Sequence, residues 1–276
     1  MVHAKRRSLA LTAALASALL VAALPAQAIV GGTNTPNFKH VDSGVQFTDN
    51  WVLTANHVGY AVGGTYSNGY GASTIAARYN LGPGPFPAND LALLRLGTAV
   101  AAPALQLTDT VLLPGLLALP QGVTIATGLN QSPQGYAFTE LREALDSVDP
   151  DDAGPLPAVP VSWLVTYSAS HGVPYVQPGD SGGGLFWGHV TDSDGAVLLG
   201  ITSAQFYDPL TFEYASGFVQ LASYRSWIDS TMAADLTDSQ LPNWVSAVPE
   251  PSSWALLLTG GLLLAGVARR KRRASA

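Results

Sequence analysis

Between residues 44 and 203 the apolar residues come in short runs separated by stretches with glycine, proline, asparagine or aspartate. The runs 44–47, 51–55, 91–96, 122–127, 161–167 and 197–203 have strand length and are too short for a helix that buries one face. Turn-forming residues between such runs suit antiparallel strands and do not suit βαβ units, which alternate strands with longer helical stretches. The proline-rich connections 82–87 and 150–160 read as surface loops. One helix is expected late in the chain, where Leu221, Tyr224, Trp227 and Ile228 share a face at three- and four-residue spacing. No internal repeat is visible, and the fold class is all-β.

The octet Pro178-Gly179-Asp180-Ser181-Gly182-Gly183-Gly184-Leu185 sets a serine on a turn where no bulky neighbour shields its hydroxyl. Glycine accepts backbone angles that a Cβ resists, so N–H groups here can converge on one point. Taken alone the octet also fits a glycine-rich hairpin turn. A lone serine is a poor nucleophile and needs a base with a group to orient it. The run Trp51-Val52-Leu53-Thr54-Ala55-Asn56-His57-Val58 carries a histidine, His57, near its end, and Asn89-Asp90-Leu91-Ala92-Leu93-Leu94 sets an aspartate, Asp90, at the mouth of an apolar run. Histidine titrates near neutrality and can take and return a proton, while a carboxylate on its far nitrogen fixes the tautomer.

These three motifs, in the order His, Asp, Ser, resemble the trypsin/chymotrypsin-like serine proteases. Ala126-Thr127-Gly128, Leu199-Gly200-Ile201-Thr202-Ser203, Ser216-Gly217-Phe218-Val219 and Tyr224-Arg225-Ser226-Trp227-Ile228 extend the likeness over about 29–232. The resemblance implies two antiparallel six-stranded β-barrels, about 29–125 and 126–219, with a C-terminal helix at about 220–232 and the site in the cleft between the barrels. It implies His57 as general base, Asp90 as its orienter and Ser181 as nucleophile, with the N–H groups of Gly179 and Ser181 as an oxyanion hole. Protein or peptide substrates follow from it. Tyr175, six residues before Ser181, falls where trypsin-type enzymes hold an aspartate, which argues against cleavage after Lys or Arg. Ser203, Gln205 and Gly217 are expected around the substrate pocket, with Gln205 narrowing it. A small or apolar side chain before the cut is the expectation, and Tyr175 is equally consistent with a packed aromatic. Asn56 departs from the usual alanine before the histidine.

Both ends read as addresses. Lys5-Arg6-Arg7, the uncharged apolar stretch 9–24, Pro25 and Ala26-Gln27-Ala28 make a secretory signal peptide over 1–28. A signal peptidase cut after Ala28 exposes Ile29-Val30-Gly31-Gly32. In the resembling family such a terminus pairs its ammonium with the aspartate before the serine, here Asp180, so Ile29 and Asp180 are the expected activation pair. Residues 29–233 then form the protease domain and 234–247 a linker. At 248–276, Pro249-Glu250-Pro251, the apolar run 254–268 and Arg269-Arg270-Lys271-Arg272-Arg273 resemble the PEP-CTERM sorting signal, read by an exosortase-type enzyme in Gram-negative bacteria. An ordinary tail anchor is the alternative. In either case this helix attaches the protein to a membrane at least transiently, with the basic cluster cytoplasmic and the protease outside, in the periplasm, at the cell surface or secreted.

Charge and composition exclude several functions. The chain has 276 residues and a formal net charge of −6, yet between residues 29 and 247 only Lys39, Arg78, Arg95, Arg142 and Arg225 are basic against 18 acids. Such a body repels nucleic acid. Cysteine is absent, which rules out thiol chemistry and disulfides, and the five histidines show no metal-ligand spacing. Neither cofactor nor metal is expected. The acidic stretch 146–152 reads as a solvated loop, with calcium binding as the lesser alternative, and 191–195 as a hairpin turn. Beside the endopeptidase stands one reading from another class, a surface-displayed binding module on a silent protease fold.

Overall fold

The apolar runs are strands in the computed structural model. It describes residues 29–246 except 35–36, 83–85, 88, 116–120, 129–134, 149–158, 168–171, 209–212 and 236–239. The signal segment 1–28, the sorting segment 248–276 and most of the acidic loop lie outside the described residues. In chain order the strands are β1 (Ile29–Val30), β2 (Thr33–Asn34), β3 (Val45–Gln46), β4 (Trp51–Thr54), β5 (Thr65–Asn68), β6 (Gly71–Asn80), β7 (Ala92–Leu96) and β8 (Gln106–Thr108). They continue as β9 (Gln121–Thr127), β10 (Gly135–Val148), β11 (Val159–Thr166), β12 (Tyr175–Val176), β13 (Gly184–Trp187), β14 (Val197–Asp208), β15 (Glu213–Gln220) and β16 (Asn243–Val245). A 3-10 turn at Leu221–Tyr224 leads into the helix α1 (Arg225–Ala234), which buries Ile228 and Met232.

The C-terminal half is a closed barrel. Its strands pair in the order β13-β9-β10-β11-β15-β14, and β14 returns to β13. Val123 and Ile125 on β9, Leu164 on β11, Leu185 on β13, Leu199 on β14 and Phe218 on β15 meet in its interior, each at most 1% exposed. Closure leaves these six strands no free edge.

The N-terminal half runs β3-β4-β7-β6-β5, all antiparallel. Trp51, Leu53, Leu91 and Leu93 bury on one side, and Val52, Tyr66, Ile75, Leu94 and Leu96 on the other. The all-β, chymotrypsin-like expectation describes the fold, with a correction here: among the described residues this half is a half-barrel sheet of five strands, not a closed barrel of six. The next strand, β8, turns away because Leu107 buries in the core shared with Leu198, and β8 pairs in parallel with β14. A single backbone bond, Gly69 N–H to Lys39 O at 2.8 Å, draws the β5–β6 turn back toward the start of the sheet. A Cβ on Gly69 would stand 2.7 Å from Lys39 Cβ, so this approach requires glycine. The second half also begins earlier than expected, with β9 at Gln121.

The segment expected as the linker 234–247 carries structure. Its strand β16 pairs in parallel with β8, and Trp244 Nε1–H donates to Asp229 Oδ1 on α1 at 2.7 Å. Asp235 Oδ2 lies 2.6 Å from Arg95 Nε on β7 and accepts from Tyr79 Oη on β6 at 2.9 Å. The Arg95 Nε–H is poorly aligned for a hydrogen bond, so that contact is a charge pair rather than an aligned donor–acceptor one. Gln240 accepts from Asp49 N–H at 3.0 Å and donates to its carboxylate at 3.2 Å. This tail therefore touches both halves.

Candidate active site

Three segments that are remote in sequence meet at the seam between the halves. Strand β4, buried at all four positions, delivers His57 at its end, where Val58 N–H closes a turn onto Ala55 O. Arg78 on β6 braces that turn: its guanidinium donates to the Tyr60 and Asn56 carbonyls and, at 3.1 Å, to Asn56 Oδ1. The unusual Asn56 therefore serves as an acceptor for Arg78, a use that its neighbours in the sequence do not reveal.

Asp90 stands just before β7 and is 3% exposed. Asn89 before it adopts φ of 59°, a left-handed conformation that asparagine tolerates better than most residues. The Asp90 carboxylate accepts the His57 backbone N–H at 2.9 Å and lies 2.9 and 3.1 Å from His57 Nδ1. Ser203 Oγ–H donates to Asp90 Oδ2. Ser203 sits at a register shift in β14, between Thr202 and Ala204, where such irregularities re-aim a side chain. The sequence reading put Ser203 in the pocket wall; it lines the cleft and also holds the carboxylate, a link that spans 113 residues.

On the other side of the seam Ser181 Oγ lies 2.7 Å from His57 Nε2. The glycines around it are sterically required. Gly182 has φ of 84°, and a Cβ there would sit 2.0 Å from Ser43 O and 2.7 Å from Thr54 Oγ1. Gly179 has φ of 106°. The N–H groups of Asp180, Gly182 and Gly183 are consumed by Gln177, Thr202 and Asp180 carbonyls. Among the described residues, none accepts the N–H groups of Gly179 or Ser181.

Asp180 is 1% exposed, accepts from Thr127 Oγ1–H at 2.9 Å and from Gln177 N–H at 2.8 Å, and pairs with no cationic side chain among the described residues. Loss of solvent pushes its carboxyl up to about 7, the two hydrogen bonds opposing that rise. Ile29 is equally buried, and β1 pairs with β12 so that Ile29 faces Val176. The chain is uncut, so the Ile29 nitrogen here is a peptide amide and not an ammonium.

Beside Ser181 opens a cleft of about 300 Å³ between segments 176–178 and 202–205, with Phe86 at its rim. Of the four residues that the sequence reading places around a substrate pocket, Ser203 and Gln205 line this cleft, and Tyr175 and Gly217 are not among the described residues lining it. Strand alternation explains Tyr175: Val176 takes the cleft side, while the Tyr175 ring stacks on Tyr214 at 5.0 Å. Gly217 packs against Phe206 and Trp163, which a Cβ would meet at 2.7 and 3.0 Å. Phe86, from a loop without any motif, stands edge-on to His57 at 5.6 Å and was not expected here.

Comparisons with known proteins bear on this geometry. The Trypsin family model matches residues 22–228, and the model of the PEP-CTERM protein-sorting motif matches 247–273. A solved structure titled "HL collagenase structure at 1.7 Å resolution" aligns with 73% of this chain and 96% of its own, at a TM-score of 0.50 and 17% identity, a likeness of fold. A search of the curated proteins gives no match.

Proposed function

The chain belongs to the trypsin family, and from that premise we propose that it is an exported serine endopeptidase. The observation that carries the reading is the continuous line Asp90, His57, Ser181, with 2.9 and 2.7 Å between successive polar atoms. Ser181 Oγ attacks the peptide carbonyl while His57 Nε2 takes its proton. Asp90 holds the Nδ1–H and stabilises the imidazolium. The oxyanion of the tetrahedral adduct accepts from the Gly179 and Ser181 N–H groups, which are worth roughly a hundred- to a thousandfold each in rate. His57 then protonates the departing amine, and water hydrolyses the acyl-enzyme by the same route in reverse.

Export follows from the signal peptide 1–28, and the reading divides the remainder into a protease body, a short connection and the sorting segment. Cleavage by signal peptidase after Ala28 makes the Ile29 ammonium, which pairs with the buried Asp180 and orders the oxyanion turn. Burial of Ile29 and of an Asp180 carboxyl without a cation among the described residues supports that pairing. The PEP-CTERM motif supports handling by an exosortase-type enzyme and at least transient attachment to a membrane. Among the described residues no helix is long and apolar enough to cross one, and the expected helix lies beyond them.

A fluorophosphonate probe tests the reading. Protein beginning at Ile29 is expected to label on Ser181, and Ser181→Ala to remove the label. Correctly cut, folded protein that fails to label overturns the protease reading in favour of a silent binding module.

A further inference from the structure

Resting on the protease reading, we infer that Gln205 bars the cleft, so that only a small, uncharged side chain fits before the bond to be cut. The two walls of the cleft, 176–178 and 202–205, are bridged by one side chain: Gln205 Nε2–H donates to Val176 O at 3.0 Å. The bar is anchored at both ends. Gln205 faces Ser216 in a β14–β15 ladder that continues without a shift from Ala204 opposite Gly217 to Asp208 opposite Glu213. Val176 is held in turn by its N–H, which donates to Ser216 Oγ at 2.9 Å. Next to it Tyr175 stacks on Tyr214 with ring planes 6° apart, and Tyr214 packs on Tyr207 at 4.9 Å. The walls are thus zipped together where a deep pocket would need them apart.

What remains is about 300 Å³, and among the described residues no charged side chain lines it. That is the low end of the range of ligand sites, and part of it is the approach to Ser181. A Lys or Arg side chain entering it would lose water and gain no counter-charge. A Phe or Leu side chain would have to displace the Gln205 carboxamide and strand the Val176 carbonyl without its donor. Ala, Gly and Ser side chains require neither.

The test uses protein cut before Ile29, its active sites first counted by fluorophosphonate, and peptide amides that differ only in the residue before the scissile bond. The wild type is expected to cleave after Ala at least tenfold faster in kcat/KM than after Phe or Lys. Gln205→Gly is expected to raise the Phe-to-Ala ratio at least tenfold, and Gln205→Ser, which keeps the hairpin's β-propensity better, to raise it in the same direction. Equal wild-type rates after Phe, Lys and Ala overturn the inference, as does a Phe-to-Ala ratio unchanged in both variants. Absence of labelling is a different failure, since it removes the protease reading itself. Labelled enzyme with the wrong profile removes only the bar.

Discussion

The C-terminal half closes its six strands upon themselves, whereas the N-terminal half leaves β3 and β5 at the margins of a five-stranded sheet. Open margins expose backbone donors and acceptors that other groups must cover. Around those margins the N-terminal half is tied by polar side chains: Gln46 Nε2–H donates to Val100 O at 2.6 Å, Asn68 Nδ2–H to Gln46 Oε1 at 2.6 Å, and Tyr66 Oη–H to His40 O at 3.1 Å. It also borrows from elsewhere. His40, whose ring burial lowers its pKa, reaches Ser193 in the β13–β14 loop at 2.8 Å, and Arg95 takes Asp235 from the C-terminal tail. Ser181 therefore rides on the self-sufficient half, and His57 and Asp90 ride on the dependent one. Alignment of the three is then a property of the seam between halves and of what braces the weaker side.

The sharpest way to break this comparison is at Asp90. Asp90→Asn keeps the side chain's size and inverts one donor–acceptor relation with His57 Nδ1, so kcat is expected to fall about ten-thousandfold with the fold intact, as circular dichroism would show. If the loss is tenfold or less, Asp90 does not orient the base. At the seam itself, Gly182→Ala drives a methyl into the Ser43 carbonyl, 2.0 Å away. Displacement of the oxyanion turn is expected to slow labelling of Ser181 by roughly a hundred- to a thousandfold, while strands β9–β11 keep their hydrogen-exchange protection.

Asp180 gives a pH signature. In uncut Ser181→Ala protein its carboxyl sits at about 7 against an ordinary 3.8, so between those values the folded chain keeps a proton that the unfolded chain has released. Stability from this group is therefore greatest at low pH and falls as pH rises through 7. Relative to the same protein carrying Asp180→Asn, Tm is expected to drop between pH 5 and pH 8. Cutting before Ile29 supplies a cation, and the relative drop should vanish; an identical slope in cut protein refutes the pairing. The smallest effect is expected from the tail. Asp235→Asn leaves the half-buried Arg95 without its anion, at roughly 1–3 kcal/mol. Tm should fall by about 2–4 °C per kcal/mol for a domain this size. Exchange should quicken in β4, β6 and β7 and not in β9–β11, if the dependent half is the one being braced.

Much of this was legible in the sequence because it is local. Apolar runs bounded by breakers became β4, β7, β9, β11 and β14, and the glycines around Ser181 fill positions where a Cβ has no room. What escaped is of three kinds. Strand β6, with the sequence Gly-Ala-Ser-Thr-Ile-Ala-Ala-Arg-Tyr-Asn, is built of small residues without clear alternation, so its pairing with β7 rather than its own pattern makes it a strand. Tyr175 was placed by counting residues from Ser181, and a count fixes the backbone position but not the face to which the side chain turns. The contacts of Ser203 with Asp90 and of Asp235 with Arg95 join residues 113 and 140 positions apart, and nothing near either residue announces its partner. The docked tail hid for a similar reason: with one tryptophan among polar residues and a proline, 240–246 reads as a tether.

That docking limits how the tail can be handled. Val245 is the last residue of β16, and only residues 246–248 separate it from Pro249 of the sorting motif. Chain geometry allows about 3.3–3.6 Å per residue, so the motif begins within roughly 14 Å of a folded surface. An enzyme that reads the motif would therefore work close to the face formed by β8, β16 and α1. The chain itself bounds how far the folded body can stand from the motif, like a lamp on a short stem rather than a buoy on a rope.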